Sequence, residues 1–401
     1  MSAVRDDSSA AAGAPGRPAQ VALLGTGNVG SAVLARLQGW SGTPLGAALA
    51  LVYVANSRVA VSDGRGLLLR AVDNGAAEPG PGLPVDTALR GAIPPALRAS
   101  PALSDRVPDV RKSRLDDVLH GFSPGAPRII VDATASEQVA RRHAHWLASG
   151  VHVVTACKLG GGTGLHRWRE IDGASRNGGT RYGDAATVGA GLPLLRCIRE
   201  LRAGGDRIHA IEGVLSGSLA WLFKHYDGSR PFSRLVAAAR AAGYAEPDPR
   251  EDLSGEDVRR KLLIIARAAG FELEADEVDV ESLVPAGLAC LPLDEVDAGL
   301  ALLDAALAPR LEAATRAGRV LRYVARLDAR SPSPARVGLA WLVPDHPLAG
   351  GSGTDNLVAI WSDRYPTQPL LIQGPGAGAD VTAAGLLDDV LRIVAPRHPP
   401  A

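Results

Sequence analysis

QVALLGTGNVGSAVLARL, residues 20–37, changes its pattern twice within one short stretch. The apolar run Val21 to Leu24 reads as a buried strand. Gly25-Thr26-Gly27-Asn28-Val29-Gly30 follows, and apolar residues then recur at helical spacing at Val33, Leu34 and Leu37. A G-x-G-x-x-G set between strand and helix is the context in which glycines cradle a dinucleotide. Gly25 allows the tight turn, Gly27 admits a pyrophosphate close to the backbone, and Gly30 lets helix and strand pack closely. Thr26, Asn28 and Val29 offer main-chain groups at the helix start, where the helix dipole favours phosphate.

A second strand, LALVYVA (49–55), runs into Asn56-Ser57-Arg58. An acid at this strand end would hold a ribose 2′-hydroxyl, whereas two neutral residues and an arginine suit a 2′-phosphate. The cofactor expected is NADP(H), with NAD(H) as the alternative.

Strands and helices alternate up to about residue 160. RIIVDAT (128–134) is a further buried strand, a helix continues through His145, and VHVVTA (151–156) is the next strand. This alternation predicts an α/β fold with a parallel, doubly wound sheet of Rossmann type. Residues 1–19 are small, polar and proline-interrupted, and predict a flexible tail without a signal peptide. Residues 74–110, rich in Pro, Gly and Ala, predict a loop-heavy excursion. Beyond 160, strand-like IHAIEGVL (208–215), Ala/Arg-rich helices and a β-rich stretch near 319–343 predict an α+β domain. The final QGPGAGADVTAAGLLDDVLRI (373–393) is a glycine turn leading into an amphipathic helix. The expected division is 20–160 with 375–395 for the nucleotide domain, and 161–374 for the substrate and dimerisation domain.

Acidic and basic residues balance at 43 each, so no global field recruits nucleic acid or an anionic membrane. No apolar run approaches the roughly 18 residues of a membrane span. Cys157, Cys197 and Cys290 are widely spaced, without a disulfide or zinc pattern, and fit a cytoplasmic protein. Only four of the 43 basic residues are lysines: Lys112, Lys158, Lys224 and Lys261. Arginine keeps its proton in proteins, whereas a desolvated lysine can give one up. A lysine retained among so many arginines is therefore a candidate for proton transfer.

One such lysine closes the acidic stretch EPDPREDLSGEDVRRK, residues 246–261. Pro247 and Pro249 stiffen the approach, and Ser254 with Asp257 predicts a capping box for a helix starting near Gly255. On a helical wheel Val258, Leu262, Ile265 and Ala269 form the buried stripe. Lys261 sits at its edge, one turn after Asp257, and Arg260 points away. With Glu246 and Asp252 just upstream, the set could bind an ammonium group and relay a proton.

GYAEPDPREDLSGEDVRRKLLIIAR (243–267) resembles the signature of homoserine dehydrogenases, G-Y-x-E-P-D-P-x-x-D-L-x-G-x-D-x-x-x-K. LLGTGNVG, VANSR, VDATAS, HVVTACK, TVGAGLP, GVLSGSLAWLF, VLRYVA and GPGAGADVTAAG fall in that family's order, so the resemblance covers about 20–395. It is nearest to the dehydrogenase half of bifunctional aspartokinase–homoserine dehydrogenases. It implies reversible hydride transfer between NAD(P)H and aspartate 4-semialdehyde, giving L-homoserine for threonine, methionine and isoleucine. By resemblance Lys261 is the proton donor, and Lys158 lies between nicotinamide and substrate. Glu246 and Asp257 hold the substrate amine, Asp252 is the acid near the reacting group, and Gly217, Ser218 and Tyr244 line the pocket. Thr134, Gly243 and Gly376 match cofactor contacts. A homodimer is implied. So is a sodium or potassium ion on the carbonyls of Val188, Ala190 and Leu192.

Two positions depart from the family. Cys157 stands where an asparagine usually precedes the strand-end lysine, and it reads as an inert buried thiol. The acid expected before the cation segment falls on Ala185, with Asp184 one residue early. No kinase pattern precedes residue 20 and no ACT pattern follows 395, so little threonine inhibition is expected. The rivals are a Rossmann oxidoreductase for another amino-acid aldehyde or imine, and a catalytically silent NADP-binding protein. The complete acid–lysine segment speaks against the first, and the intact Lys158 and Lys261 against the second.

Overall fold

The computed structural model describes residues 17–67, 109–331, 333–351 and 353–395. Most of the expected tail and of the 74–110 excursion lies outside these residues, but Ala19, assigned to the tail, belongs to the first strand. The first strand, β1, begins at Ala19 and runs to Leu24 with every residue buried. Its neighbours are β2 (Leu49–Ala55), β3 (Val59–Ser62), β4 (Asp109–Lys112), β5 (Arg128–Asp132), β6 (His152–Thr155) and β7 (Tyr182–Gly183). The sheet order is β4-β3-β2-β1-β5-β6-β7. From β2 to β7 adjacent strands run parallel, whereas β3 and β4 pair antiparallel.

The sheet is therefore not wholly parallel, as the sequence had suggested, and Asn56 shows why. Its Oδ1 accepts from the amides of Arg58 (2.8 Å) and Val59 (2.9 Å), reversing the chain at once. A parallel return would need a long crossover. Both faces are nonetheless covered. Val33 and Leu34 of helix Asn28–Gly39 join Ala383, Leu386, Leu387 and Val390 of helix Ala379–Val394 on one side. Val139, Trp146, Leu147 and Ile171 cover the other. The C-terminal helix thus returns to the first sheet. Strand β7 and helix Leu165–Asn177 also belong there, beyond the division expected at residue 160.

The second sheet contains β8 (Ile208–Val214), β9 (Val278–Val280), β10 (Val320–Asp328), β11 (Ala335–Leu342), β12 (Asp355–Ser362) and β13 (Leu370–Pro375). Its order is β13-β12-β8-β10-β11-β9, antiparallel except where β9 meets β11. Helices lie against one face. Among them, helix Glu256–Ala269 buries the expected Val258, Leu262, Ile265 and Ala269. Each fully buried Leu or Ile contributes on the order of 1.5–3 kcal/mol, which pins this helix to the sheet. Among the described residues no helix is long and apolar enough to cross a membrane.

Candidate active site

Most of the acids in the 246–261 stretch have structural partners. Pro249–Leu253 is a short helix rather than a loop, with Pro249 at its first turn and Asp248 as its cap. The Arg250 guanidinium grips that same carboxylate at 2.8 Å and holds the Asp248 pKa below the usual range. Glu256 is bound by Arg259 at 2.6 Å. The expected capping box does not form. Gly255 occupies the cap in the left-handed region (φ 79°), without a side-chain bond. Ser254 Oγ instead donates to the Glu251 carbonyl (2.8 Å) and accepts from the Glu256 amide (3.2 Å). Asp257 is thereby left to face the lysines.

Lys261 Nζ lies 2.8 Å from Asp257 Oδ2, and Lys158 Nζ lies 3.3 Å from Asp257 Oδ1. One carboxylate thus stands between two ammonium groups, one from its own helix and one from the end of β6. Lys261 is only 11% exposed and also donates to the Leu215 carbonyl at 2.7 Å, just beyond β8. Burial lowers its pKa. Asp257 opposes the shift and Lys158 reinforces it, so the amine releases its proton more readily than a free lysine. For Asp257, burial works toward a higher pKa, but Lys261 and Lys158 outweigh it and hold the carboxyl at about 2.

The residues around Leu215 complete the cluster. Ser218 Oγ donates to Asp252 Oδ1 (2.7 Å), and the Glu246 amide donates to Asp252 Oδ2 (2.8 Å). Asp252 therefore joins the start of helix Gly217–His225 to the acidic stretch. Gly217 heads that helix, where an added Cβ would lie 3.0 Å from the Thr354 carbonyl. Glu246 and Tyr244 are exposed, and the Tyr244 ring centroid is 5.7 Å from that of Trp221.

At the nucleotide end the backbone fits a pyrophosphate. Gly25 has φ 92°, a Cβ on Gly27 would meet only open space, and one on Gly30 would fall 1.9 Å from the Gly25 carbonyl. Helix Asn28–Gly39, which contains Asn28 and Val29, has neither a side-chain cap nor an acid in its first turn, leaving its amides to an anion. Thr26 accepts from Asn56 Nδ2 at 3.3 Å. Ser57 and Arg58 are exposed at the β2–β3 turn. Asn56, expected to face a phosphate, instead spends its side chain on this turn and on Thr26. Thr134 bonds Asp132 through both amide and hydroxyl. Gly243 sits in the left-handed region after helix Phe232–Ala241, and Gly376 lies where the chain leaves β13 for the C-terminal helix. A Cβ at Gly376 would collide with Asn356.

The expected cation segment has a tight backbone. Gly189 and Ala190 both adopt positive φ, and an added Cβ on Gly385 would come within 2.6 Å of the Ala190 carbonyl. Val188 is buried and Leu192 half-buried. Asp184 gives its buried carboxylate to Arg199, at 2.6 and 2.8 Å. Among the described residues, no group of three or more His, Cys, Asp or Glu side chains is disposed to hold a metal.

Sequence reasoning passed over Asp132, His143 and Tyr182, which meet beneath the ends of β5 and β6. His143 Nε2 is 3.0 Å from Asp132 Oδ2, and His143 Nδ1 is 3.1 Å from the Tyr182 hydroxyl. The available signal was an acid ending an otherwise apolar buried strand, which needs partners. Cys157 is buried, and desolvation pushes its thiol up to about 12, so it is the inert thiol expected.

The chain matches known proteins along most of its length. Residues 25–182 match the family model "Homoserine dehydrogenase, NAD binding domain", and 193–391 match "Homoserine dehydrogenase". The chain is 46% identical over 265 residues to bifunctional aspartokinase/homoserine dehydrogenase 2 of Escherichia coli, a match covering 66% of this chain and 32% of that one. It thus spans about a third of the length of such bifunctional relatives. It is 39% identical over 277 residues to homoserine dehydrogenase of Emericella nidulans, covering 66% of this chain and 75% of that protein. Among solved structures, a Candida auris protein of unknown function superposes with TM-score 0.78 at 34% identity, over 93% of this chain and 97% of that one. A hyperthermophilic archaeal homoserine dehydrogenase in complex with NADPH shares the fold with TM-score 0.65 at 19% identity, over 93% and 97% of the two chains. The chain belongs to the homoserine dehydrogenase family.

Proposed function

We propose that this chain catalyses reversible NAD(P)H-dependent reduction of L-aspartate 4-semialdehyde to L-homoserine, on the route to threonine, methionine and isoleucine. The observation that carries the assignment is the Asp257 carboxylate standing between Lys158 and Lys261. When bound, the nicotinamide supplies or receives the hydride. Lys261 Nζ gives a proton to the aldehyde oxygen as it becomes an alkoxide, and its lowered pKa suits that task. Lys158 adds positive charge beside that oxygen. Asp257 and Glu246 bind the substrate ammonium group. Asp252 holds the loop that carries Glu246 against Ser218, with Gly217 and Tyr244 at the pocket wall.

NADP(H) is the preferred coenzyme in this proposal, held by the Gly25–Gly30 loop and Arg58, with Thr134, Gly243 and Gly376 as further contacts. A sodium or potassium ion, if bound, rests on the carbonyls of Val188, Ala190 and Leu192 alone, because Asp184 is committed to Arg199. The first sheet with the returning helix forms the nucleotide domain. The second sheet forms the substrate and dimerisation domain of a cytoplasmic homodimer. The test is NADPH oxidation by purified protein with aspartate 4-semialdehyde. Turnover dependent on that aldehyde is expected, and its absence would remove the assignment.

A further inference from the structure

Asp132 ends β5 and is fully buried together with His143 and Thr155. Four donors converge on its carboxylate. Oδ1 receives the Thr134 amide at 2.9 Å and the Thr134 hydroxyl at 2.7 Å. Oδ2 receives the Thr155 hydroxyl at 2.9 Å and His143 Nε2 at 3.0 Å. The backbone fixes the direction of these bonds. The Cys157 amide can only donate, and it points to Thr155 Oγ1 at 2.9 Å, so the hydroxyl hydrogen of Thr155 is left for Asp132. The Ser136 amide does the same for Thr134 Oγ1 at 3.1 Å. A carboxylate accepts, so His143 Nε2 carries its hydrogen toward Asp132, and Nδ1 is left facing the Tyr182 hydroxyl at 3.1 Å.

We propose that Asp132 is a positioning residue for Lys158, acting through the Thr155 hydroxyl and the Cys157 amide, with His143 and Tyr182 holding Asp132 in place. The link is short and covalently direct, because Cys157 immediately precedes Lys158. The Lys158 carbonyl is closed into a turn by the Gly162 amide at 2.7 Å, so the lysine backbone is held from both sides. The same buried side chain fixes Thr134 at the end of the neighbouring strand. One carboxylate thus sets two strand ends that face the proposed reaction site. The inference rests on the assignment of Lys158 to that site.

Thr155→Val removes the hydroxyl at nearly constant volume and cuts the link, whereas Thr155→Ser keeps it. The chain has only four lysines, so reductive methylation with 13C-formaldehyde gives a small set of NMR signals. Lys158→Arg identifies the one from Lys158. Thr155→Val is expected to move or broaden the Lys158 signal and leave Lys112 and Lys224 unchanged. Thr155→Ser is expected to reproduce the wild-type spectrum. Turnover of aspartate 4-semialdehyde should fall about tenfold or more in Thr155→Val, with the KM for coenzyme nearly constant, since misplacing a reacting group by an ångström costs that much. A wild-type Lys158 signal in the valine variant would overturn the proposal, whatever the rate. If Thr155→Val does not fold, Thr155→Ala serves with the same two outcomes. Should wild type fail to reduce the aldehyde, the functional assignment falls while the lysine spectrum still decides the positioning role.

Discussion

Asp257 Oδ2 and Lys261 Nζ, one helical turn apart, meet at 2.8 Å with the lysine almost enclosed and the acid 45% exposed. An exposed i, i+4 pair would be worth a few tenths of a kcal/mol and little else. Enclosure changes its character, since burial moves the amine toward releasing its proton. Lys261→Ala should lower kcat by on the order of 10²-fold or more with coenzyme binding nearly intact. Lys261→Arg should fail too, because arginine keeps the charge and cannot give up the proton. A fully active arginine variant, measured by steady-state kinetics, would show that only the charge matters.

The same pair sets the pH dependence. In the proposed mechanism aldehyde reduction needs protonated Lys261, so kcat should fall as pH rises through its lowered pKa, below the ordinary lysine range. Asp257 supports the charged amine, and removing it lowers that pKa further. Asp257→Asn should therefore move this limb of the kcat profile to lower pH. The acid side has the opposite sense. Asp257 has a folded pKa of about 2, below the ordinary value of about 3.9. Its stabilising contribution is full above that ordinary value and is lost as pH falls toward 2. Because the acid is 45% exposed, screening limits the contribution to less than about 1 kcal/mol. An unmoved kcat limb in the asparagine variant would separate Asp257 from Lys261.

Gly255 starts the helix that carries both residues. Its φ is 79°, and a Cβ there would stand 2.1 Å from the Tyr323 hydroxyl oxygen. That hydroxyl is already committed to the Glu281 carbonyl at 2.8 Å. Gly255→Ala combines backbone strain with a contact that must break, and should destabilise by about 1–3 kcal/mol. Thermal melting measures the loss, and kcat should fall with it as the helix start shifts. A melting temperature equal to wild type would mean that the turn accommodates a side chain.

What was legible in the sequence was local. The strand, glycine loop and helix at 19–39 announce themselves by period and composition, and so does the Asp257–Lys261 spacing. The convergence of Lys158 on the same carboxylate, from roughly a hundred residues earlier in the chain, is a tertiary contact that no local pattern encodes. Only resemblance pointed to it. The Ser254–Asp257 pattern misled because Gly255 takes a left-handed conformation that turns the serine back onto Glu251. Asn56 misled in the same way, its side chain consumed by the turn it creates. Asp132 escaped notice because its partners arrive from separate segments.

That turn leaves Arg58 as the charged side chain exposed at the end of β2. An NAD-selective site would offer a carboxylate here, and a carboxylate would repel a 2′-phosphate. Arg58 can instead meet the phosphate with charge-assisted hydrogen bonds, favouring NADPH over NADH in kcat/KM by about ten- to hundredfold. Asn56 contributes little to this preference, because its Oδ1 already accepts two amides and its Nδ2 faces Thr26. The proposed selectivity therefore rests on Arg58, with Ser57 beside it. Since the arginine is open to solvent, added salt should erode the preference. Arg58→Asp should erase or invert it with little effect on homoserine affinity, as measured by kcat/KM with each coenzyme. Equal use of both coenzymes by wild type, or an aspartate variant that still prefers NADPH, would reduce Arg58 to a solvated surface charge.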